Sequence, residues 1–303
     1  MVTYRRIMVG TDFSPLGGRA VEAGAILARR YKAERLHVVH IVPVTGLYDV
    51  IPPTYTEATH AEVQKNALER AQEHLEKLTS SVSLEAEVTC EARAGRPARQ
   101  LAEVAKDIGA DVIVIASHGR GTVVRAVLGS VASNLLRTSP CPVLVVRPEG
   151  PVLPEARQVL AAVDLSPVSE AVFRHAVGLA TPTKATVRAL SLCEPPLLGM
   201  DGEAIFPGVL GTHGIETLVK RDEKKLEALA ARVQTEDVEV KTEVLRRAPP
   251  AEVILEVAEL LRPEILVIGT SGRNAWHRFI VGATAARVVA EAVCPTFVVP
   301  SME

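Results

Sequence analysis

The chain is an internal duplication. "RRIMVGTDFSP" (5–15) recurs as "RQVLAAVDLSP" (157–167), so that Asp12 falls on Asp164, 152 residues later. Further along, "DVIVIASHGRGTVVRAVLGSVASNLL" (111–136) recurs as "EILVIGTSGRNAWHRFIVGATAARVV" (264–289), setting Gly119 on Gly272 and Gly129 on Gly282 at a spacing of 153. Arg120 meets Arg273, and Cys141 meets Cys294 in the paired endings "SPCPVLVVRP" and "AVCPTFVVPS". A fold that is stable once must therefore be built twice. The expected domains are 1–150 and 151–303, joined through the proline-rich "PEGPVLPEARQ".

Each half alternates short apolar runs with segments of helical periodicity, the pattern of βαβ units around a parallel sheet. Strands are expected at 6–11, 36–42, 85–92, 111–116 and 143–147, and again at 158–163, 186–192, 238–245, 264–269 and 296–299. Four helical segments separate them in each half. Right-handed crossovers then require a doubly wound sheet with helices on both faces, whose ligand crevice lies at the carboxyl ends of the strands. Hydrophobic content of 48% with only 3% aromatic residues fits a core of Val, Leu, Ile and Ala, as in such sheets. With 34 basic and 36 acidic residues, no overall field draws the chain to nucleic acid or an anionic membrane. No apolar run approaches the length of a membrane span, and the N-terminal stretch is too short for a signal h-region, so a cytoplasmic location is expected. The four cysteines form no C-x-x-C pair and read as reduced, structural thiols.

Asp12 and the glycine segment both fall at carboxyl ends of strands. Gly119 leaves strand four, while Gly129-Ser130 opens the next helix, whose N-terminal N–H groups and dipole suit an anion such as phosphate. Ser130 either caps that helix or offers its hydroxyl to a phosphate oxygen, and Arg120 adds charge. A plainer reading has the glycines making a turn, Ser130 capping its helix, and Asp12 capping the helix that begins near Pro15.

The spacing Ala116-x2-Gly119-x9-Gly129-Ser130, with the strand-one aspartates in "VGTDFS" and "AAVDLS", "HIVP" after strand two and the terminal "SPCPVLVV", resembles the ATP-binding universal stress proteins. That resemblance implies two tandem Rossmann-like (HUP-type) domains, each a five-stranded parallel sheet with helices on both faces. It implies ATP, with magnesium, as ligand, a role in stress response, and halves packed as an intramolecular pseudo-dimer, with a homodimer open and the protein partner unnamed. By position, Asp12 would meet the ribose, Ile41 the adenine, and Gly119, Arg120, Gly129 and Ser130 the phosphates, with Thr11, Ala116 and Val131 beside them in the nucleotide site. The second set is Val163, Asp164, Leu192, Gly269, Gly272, Arg273, Gly282, Ala283 and Thr284. Two departures stand out: Ala116 replaces the motif's first glycine, and Ala283 replaces the hydroxyl residue, with Thr284 one position later.

No nucleophile elbow, H-E-x-x-H or Walker loop is present, and His118 in the glycine loop has Ser271 as its counterpart, which leaves dedicated catalysis without a candidate residue. Slow ATP hydrolysis and a nucleotide-free interaction module remain the alternatives. The proline- and glycine-rich stretches 44–60 and 194–214 are expected to be flaps beside the pocket or plain linkers.

Overall fold

The computed structural model describes residues 2–44, 57–119, 127–150, 152–153, 157–193, 207–233, 235–270 and 281–301. The chain divides into two compact units, one of Thr3–Pro154 with Pro295–Pro300, the other of Glu155–Cys294 with the two chain termini.

The first unit runs β1 (Arg6–Gly10), α1 (Pro15–Tyr31), β2 (Arg35–Pro43), α2 (Glu57–Ser80), β3 (Glu87–Gly95), α3 (Pro97–Asp107), β4 (Val112–Ala116), α4 (Ser130–Thr138) and β5 (Val143–Val146). Its sheet order is β3-β2-β1-β4-β5, with every one of these pairs parallel. The central strands are apolar on both faces, since Ile7, Met8, Val9, Val112, Ile113 and Val114 are fully buried. Sheets covered by helices on both sides need such runs. The chain's last strand, β10 (Thr296–Val299), lies antiparallel against β5, with Phe297 opposite Leu144. Phe297 is wholly buried, its ring centroid 5.7 Å from that of Tyr4, which in turn meets Tyr31 edge-on at 4.8 Å.

α1 shows why these helices stop where they do. Ser14 caps it, Pro15 opens it with a ring preset to the helical φ, and Lys32 closes it at φ 48° behind Arg29 and Arg30. Its buried face of Leu16, Ala20, Val21, Ala23, Leu27 and Ala28 recurs at three- and four-residue spacing.

The second unit repeats the plan through four strands, with β6 (Gln158–Val163), α5 (Ser169–Ala180), β7 (Thr186–Leu192), α6 (Pro207–Val233), β8 (Val240–Leu245), α7 (Pro250–Leu261), β9 (Ile265–Gly269) and α8 (Ala283–Glu291), while β10, fifth in the repeat, belongs to the first unit. A parallel sheet in the order β9-β6-β7-β8 carries them. The helices Glu57–Ser80 and Pro207–Val233 take up the ends of the two expected flaps, and residues 45–56 and 194–206 of those stretches lie outside the described residues. Among the described residues no helix is long and apolar enough to cross a membrane. All four cysteines are free thiols, and Cys141, Cys193 and Cys294 are buried.

His175, on α5, carries a pH dependence. Burial pushes its imidazole down to about 4. The unfolded chain takes up this proton near the ordinary histidine value, so the contribution to stability is complete above about pH 6.5 and is lost as pH falls towards 4, about 3 kcal/mol in all. Urea unfolding at pH 7.5 and pH 4.5 should show a steeper acid loss in the parent than in His175→Gln. Equal losses in the two proteins would refute this.

Candidate functional site

The strand order reverses between β1 and β4 in the first unit and between β6 and β9 in the second. Chain connections leave opposite faces of the sheet at that point, and a crevice opens at the carboxyl ends. The register decides what lines it. Gly10 is opposite Val39, so two residues on Asp12 stands level with Ile41; Val163 is opposite Ser191, so Asp164 stands level with Leu192. Across the other flank, Val9 opposite Val114 brings Thr11 level with Ala116, and Ala162 opposite Ile268 brings Val163 level with Gly269.

Asp12 is half-buried. Its Oδ1 accepts from the Ser14 N–H at 3.0 Å and from the Ser14 hydroxyl at 2.5 Å. The helix cap itself is Ser14, whose Oγ accepts from the Gly17 N–H at 3.0 Å; Asp12 orients that cap rather than providing it. The other carboxylate oxygen faces the glycine loop, since a Cβ built on Gly119 would lie 2.6 Å from Asp12 Oδ2. A Cβ on Gly17 would lie 2.6 Å from Oδ1. Asp12 is thus held between two glycines, and a side chain at either would displace it.

Phe13 follows in the left-handed region, at φ 60°, and Leu165 takes the same conformation at φ 61° in the second unit. Bulky residues rarely accept that backbone, which costs about 1 kcal/mol or more. The Phe13 ring stacks between His40 and His74, each at a centroid distance of 4.2 Å. His40 Nδ1 donates to the Thr11 carbonyl at 2.8 Å, pinning the residue before Asp12 to the end of β2.

The far end of the crevice is the start of α4. Gly129 is its N-cap at φ −60° and ψ 152°, with no side-chain cap bond, so Ser130 is the first helical residue and not the cap. The Gly129 N–H donates to the Ser117 carbonyl at 2.8 Å, which turns the helix mouth back onto the end of β4. Ser130 and Val131 are exposed there, Val131 to 37%. Gly282 repeats this at α8 with φ −60°, ψ 149° and no side-chain cap, its N–H donating to the Thr270 carbonyl at 2.8 Å. Any residue adopts such backbone angles, so torsion does not require glycine at either position. At Gly129 a Cβ would lie 3.0 Å from the His118 Cα, whereas at Gly282 the nearest atom of the described residues would be the Thr270 oxygen at an ordinary 3.6 Å. Ala283 is exposed and Thr284 half-buried at the same mouth.

The described members of each predicted set therefore gather at one crevice per unit: Thr11, Asp12, Ile41, Ala116, Gly119, Gly129, Ser130 and Val131 in the first, and Val163, Asp164, Leu192, Gly269, Gly282, Ala283 and Thr284 in the second. Arg120, Gly272 and Arg273 lie outside the described residues. Sequence reasoning missed Ser14, Gly17, Phe13, His40 and Ser169. Only the D-x-S-P-x-G spacing of 12–17 hinted at the first two, through the habit of hydroxyls and glycines to gather at helix starts.

The sequence profile of the universal stress protein family matches residues 3–147 and again 155–300. A universal stress protein of Mycolicibacterium smegmatis is 29% identical over 308 residues, covering 97% of this chain and 96% of its own. The universal stress protein YxiE of Bacillus subtilis is 30% identical over 151 residues, 48% of this chain and 99% of its own length. The crystal structure of a universal stress protein from Archaeoglobus fulgidus superposes with a TM-score of 0.69 at 17% identity, covering 99% of this chain and 98% of that one.

Proposed function

The chain belongs to the universal stress protein family, and on that premise we propose that it is an ATP-binding stress-response regulator with one nucleotide site in each unit. The ribose hydroxyls are accepted by Asp12 and Asp164, the adenine lies against Ile41 and Leu192, and the phosphates rest on the uncapped N-termini of α4 and α8. Helix N–H groups and the positive end of the dipole suit phosphate, and Arg120 and Arg273 add charge from the glycine loop. Magnesium accompanies the phosphates. The observation that supports this reading most strongly is the meeting of Asp12 with Gly119, because it joins a hydroxyl acceptor to a phosphate loop at the switch point of the sheet.

Both departures from the motif are tolerable on physical grounds. Ala116 is half-buried at the strand end and adds one methyl. Ala283 removes one hydroxyl donor but keeps its backbone N–H, a loss of about 0.5 to 1.5 kcal/mol, or up to about tenfold in affinity. The second site is therefore expected to bind ATP more weakly than the first.

Isothermal titration of magnesium and ATP into the intact protein tests the reading directly. Two binding events are expected, the weaker by about tenfold or less. Absence of heat, together with absence of protection against proteolysis by ATP, would leave an interaction module in its place.

A further inference from the structure

The two units hold the strand-one carboxylate by different hydroxyls. In the first, Ser14 Oγ donates to Asp12 Oδ1 at 2.5 Å while accepting from the Gly17 N–H at 3.0 Å, so one side chain links the carboxylate to the first turn of α1. The serine in the matching position of the second unit, Ser166, donates only its N–H to Asp164 Oδ1, at 3.1 Å. Its hydroxyl is buried without a hydrogen-bond partner among the described residues. The hydroxyl that reaches Asp164 Oδ1 comes from Ser169, 3.1 Å away and 2% exposed.

Ser169 lies five residues past Asp164, as Gly17 lies five past Asp12, so it occupies Gly17's place in the repeat. The two arrangements exclude each other. A Cβ on Gly17 would stand 2.6 Å from Asp12 Oδ1 and 2.8 Å from Thr11 Oγ1, leaving no room for a serine while Ser14 holds the carboxylate. In the second unit Thr11's counterpart is Val163, and the cap has moved as well: α5 begins at Ser169 behind Val168, with no side-chain cap bond.

From this exchange we infer that orienting the strand-one carboxylate falls to Ser14 in the first unit and to Ser169 in the second, with Ser166 taking no part through its hydroxyl. Both serines are positioning residues that act through the aspartates. The bearing of this on ligand recognition rests on the nucleotide reading, in which the aspartate accepts a ribose hydroxyl. Each unit then owes its preference for ribose to a different serine.

Ser14→Ala, Ser166→Ala and Ser169→Ala in the full chain separate the possibilities through two readouts. In urea unfolding without ligand, Ser14→Ala and Ser169→Ala should each lower the ratio of folded to unfolded protein by about tenfold or more, the worth of a bond to a charged group. Ser166→Ala should cost nothing, since it removes a buried hydroxyl that makes no bond. A loss in Ser166→Ala equal to that in Ser169→Ala would overturn the assignment. In titrations, Ser14→Ala and Ser169→Ala should each weaken ATP at one site by about tenfold and leave 2′,3′-dideoxy-ATP, which lacks both sugar hydroxyls, unchanged. A merely structural serine would weaken both nucleotides alike, and that result would end the positioning role. If the unfolding pattern holds while neither nucleotide binds the parent protein, the serine assignment stands and the nucleotide reading falls.

Discussion

Gly119→Val is expected to abolish ATP binding at the first unit and leave one equivalent bound at the second. The reason is local. A side chain at 119 must begin 2.6 Å from Asp12 Oδ2, closer than non-bonded atoms approach, so the carboxylate has to turn away from the crevice. Losing a hydrogen bond to a charged acceptor costs about 1.5 to 3 kcal/mol, or about 10- to 150-fold in affinity, before the valine's own bulk is counted. Gly119 is exposed, so the protein outside the crevice has little to readjust.

The companion variant is Gly282→Val. Among the described residues a Cβ there meets nothing nearer than the Thr270 oxygen at 3.6 Å, so a loss of affinity at the second site with urea unfolding unchanged reports crowding of the ligand. Gly129→Val is a poorer probe, because its Cβ would press on the His118 Cα at 3.0 Å and the Ser117 oxygen at 3.2 Å, disturbing the end of β4 whether or not a ligand binds. Titration of magnesium and ATP should give a single equivalent in Gly119→Val. Two equivalents of undiminished affinity would show that Asp12 and the glycine loop do not form one site.

The second large effect is at the far end of the chain. Phe297→Ala should destabilise the first unit by about 3 to 5 kcal/mol, the usual range for emptying a buried aromatic position. Phe297 is fully buried, sits opposite Leu144 of β5 and touches the ring of Tyr4, so its removal opens a cavity between the edge of that sheet and the start of the chain. Hydrogen exchange should show faster loss of protection at Val143, Leu144 and Val145. Unchanged protection in β5, or a cost below about 1 kcal/mol, would mean that β10 does not support this unit.

Much of this was legible in the residues alone. The repeat spacing of 152 to 153 fixed that one fold is made twice, and the apolar runs placed β1, β4 and β6 to within a residue of their observed bounds, because buried central strands are recognised by composition over their own length. The same runs put Asp12, Asp164 and the glycine segments at strand ends. The edge strand β3 was less legible, expected at 85–92 and found at Glu87–Gly95. Its half-exposed residues form no apolar run, and its limits are set by pairing with β2, where Pro43 meets Gly95.

Side-chain partners were a different matter. Asp12 looked like a helix cap, yet Ser14 takes the cap and Asp12 takes Ser14. Ser166 holds Ser14's place in the repeat, yet among the described residues its hydroxyl has no partner and Ser169 reaches the aspartate instead. Nor did the sequence tell that Gly17 and Gly119, more than 100 residues apart, flank one carboxylate, or that β10 lies antiparallel on β5. Periodicity and propensity are properties of a short window, and so the sequence by itself determined the repeat, the class of fold and the strand ends at which the candidate residues lie. Which hydroxyl reaches which carboxylate depends on ångström-scale approaches between segments that only the crossovers of the folded chain bring together, and that the tertiary structure alone decided.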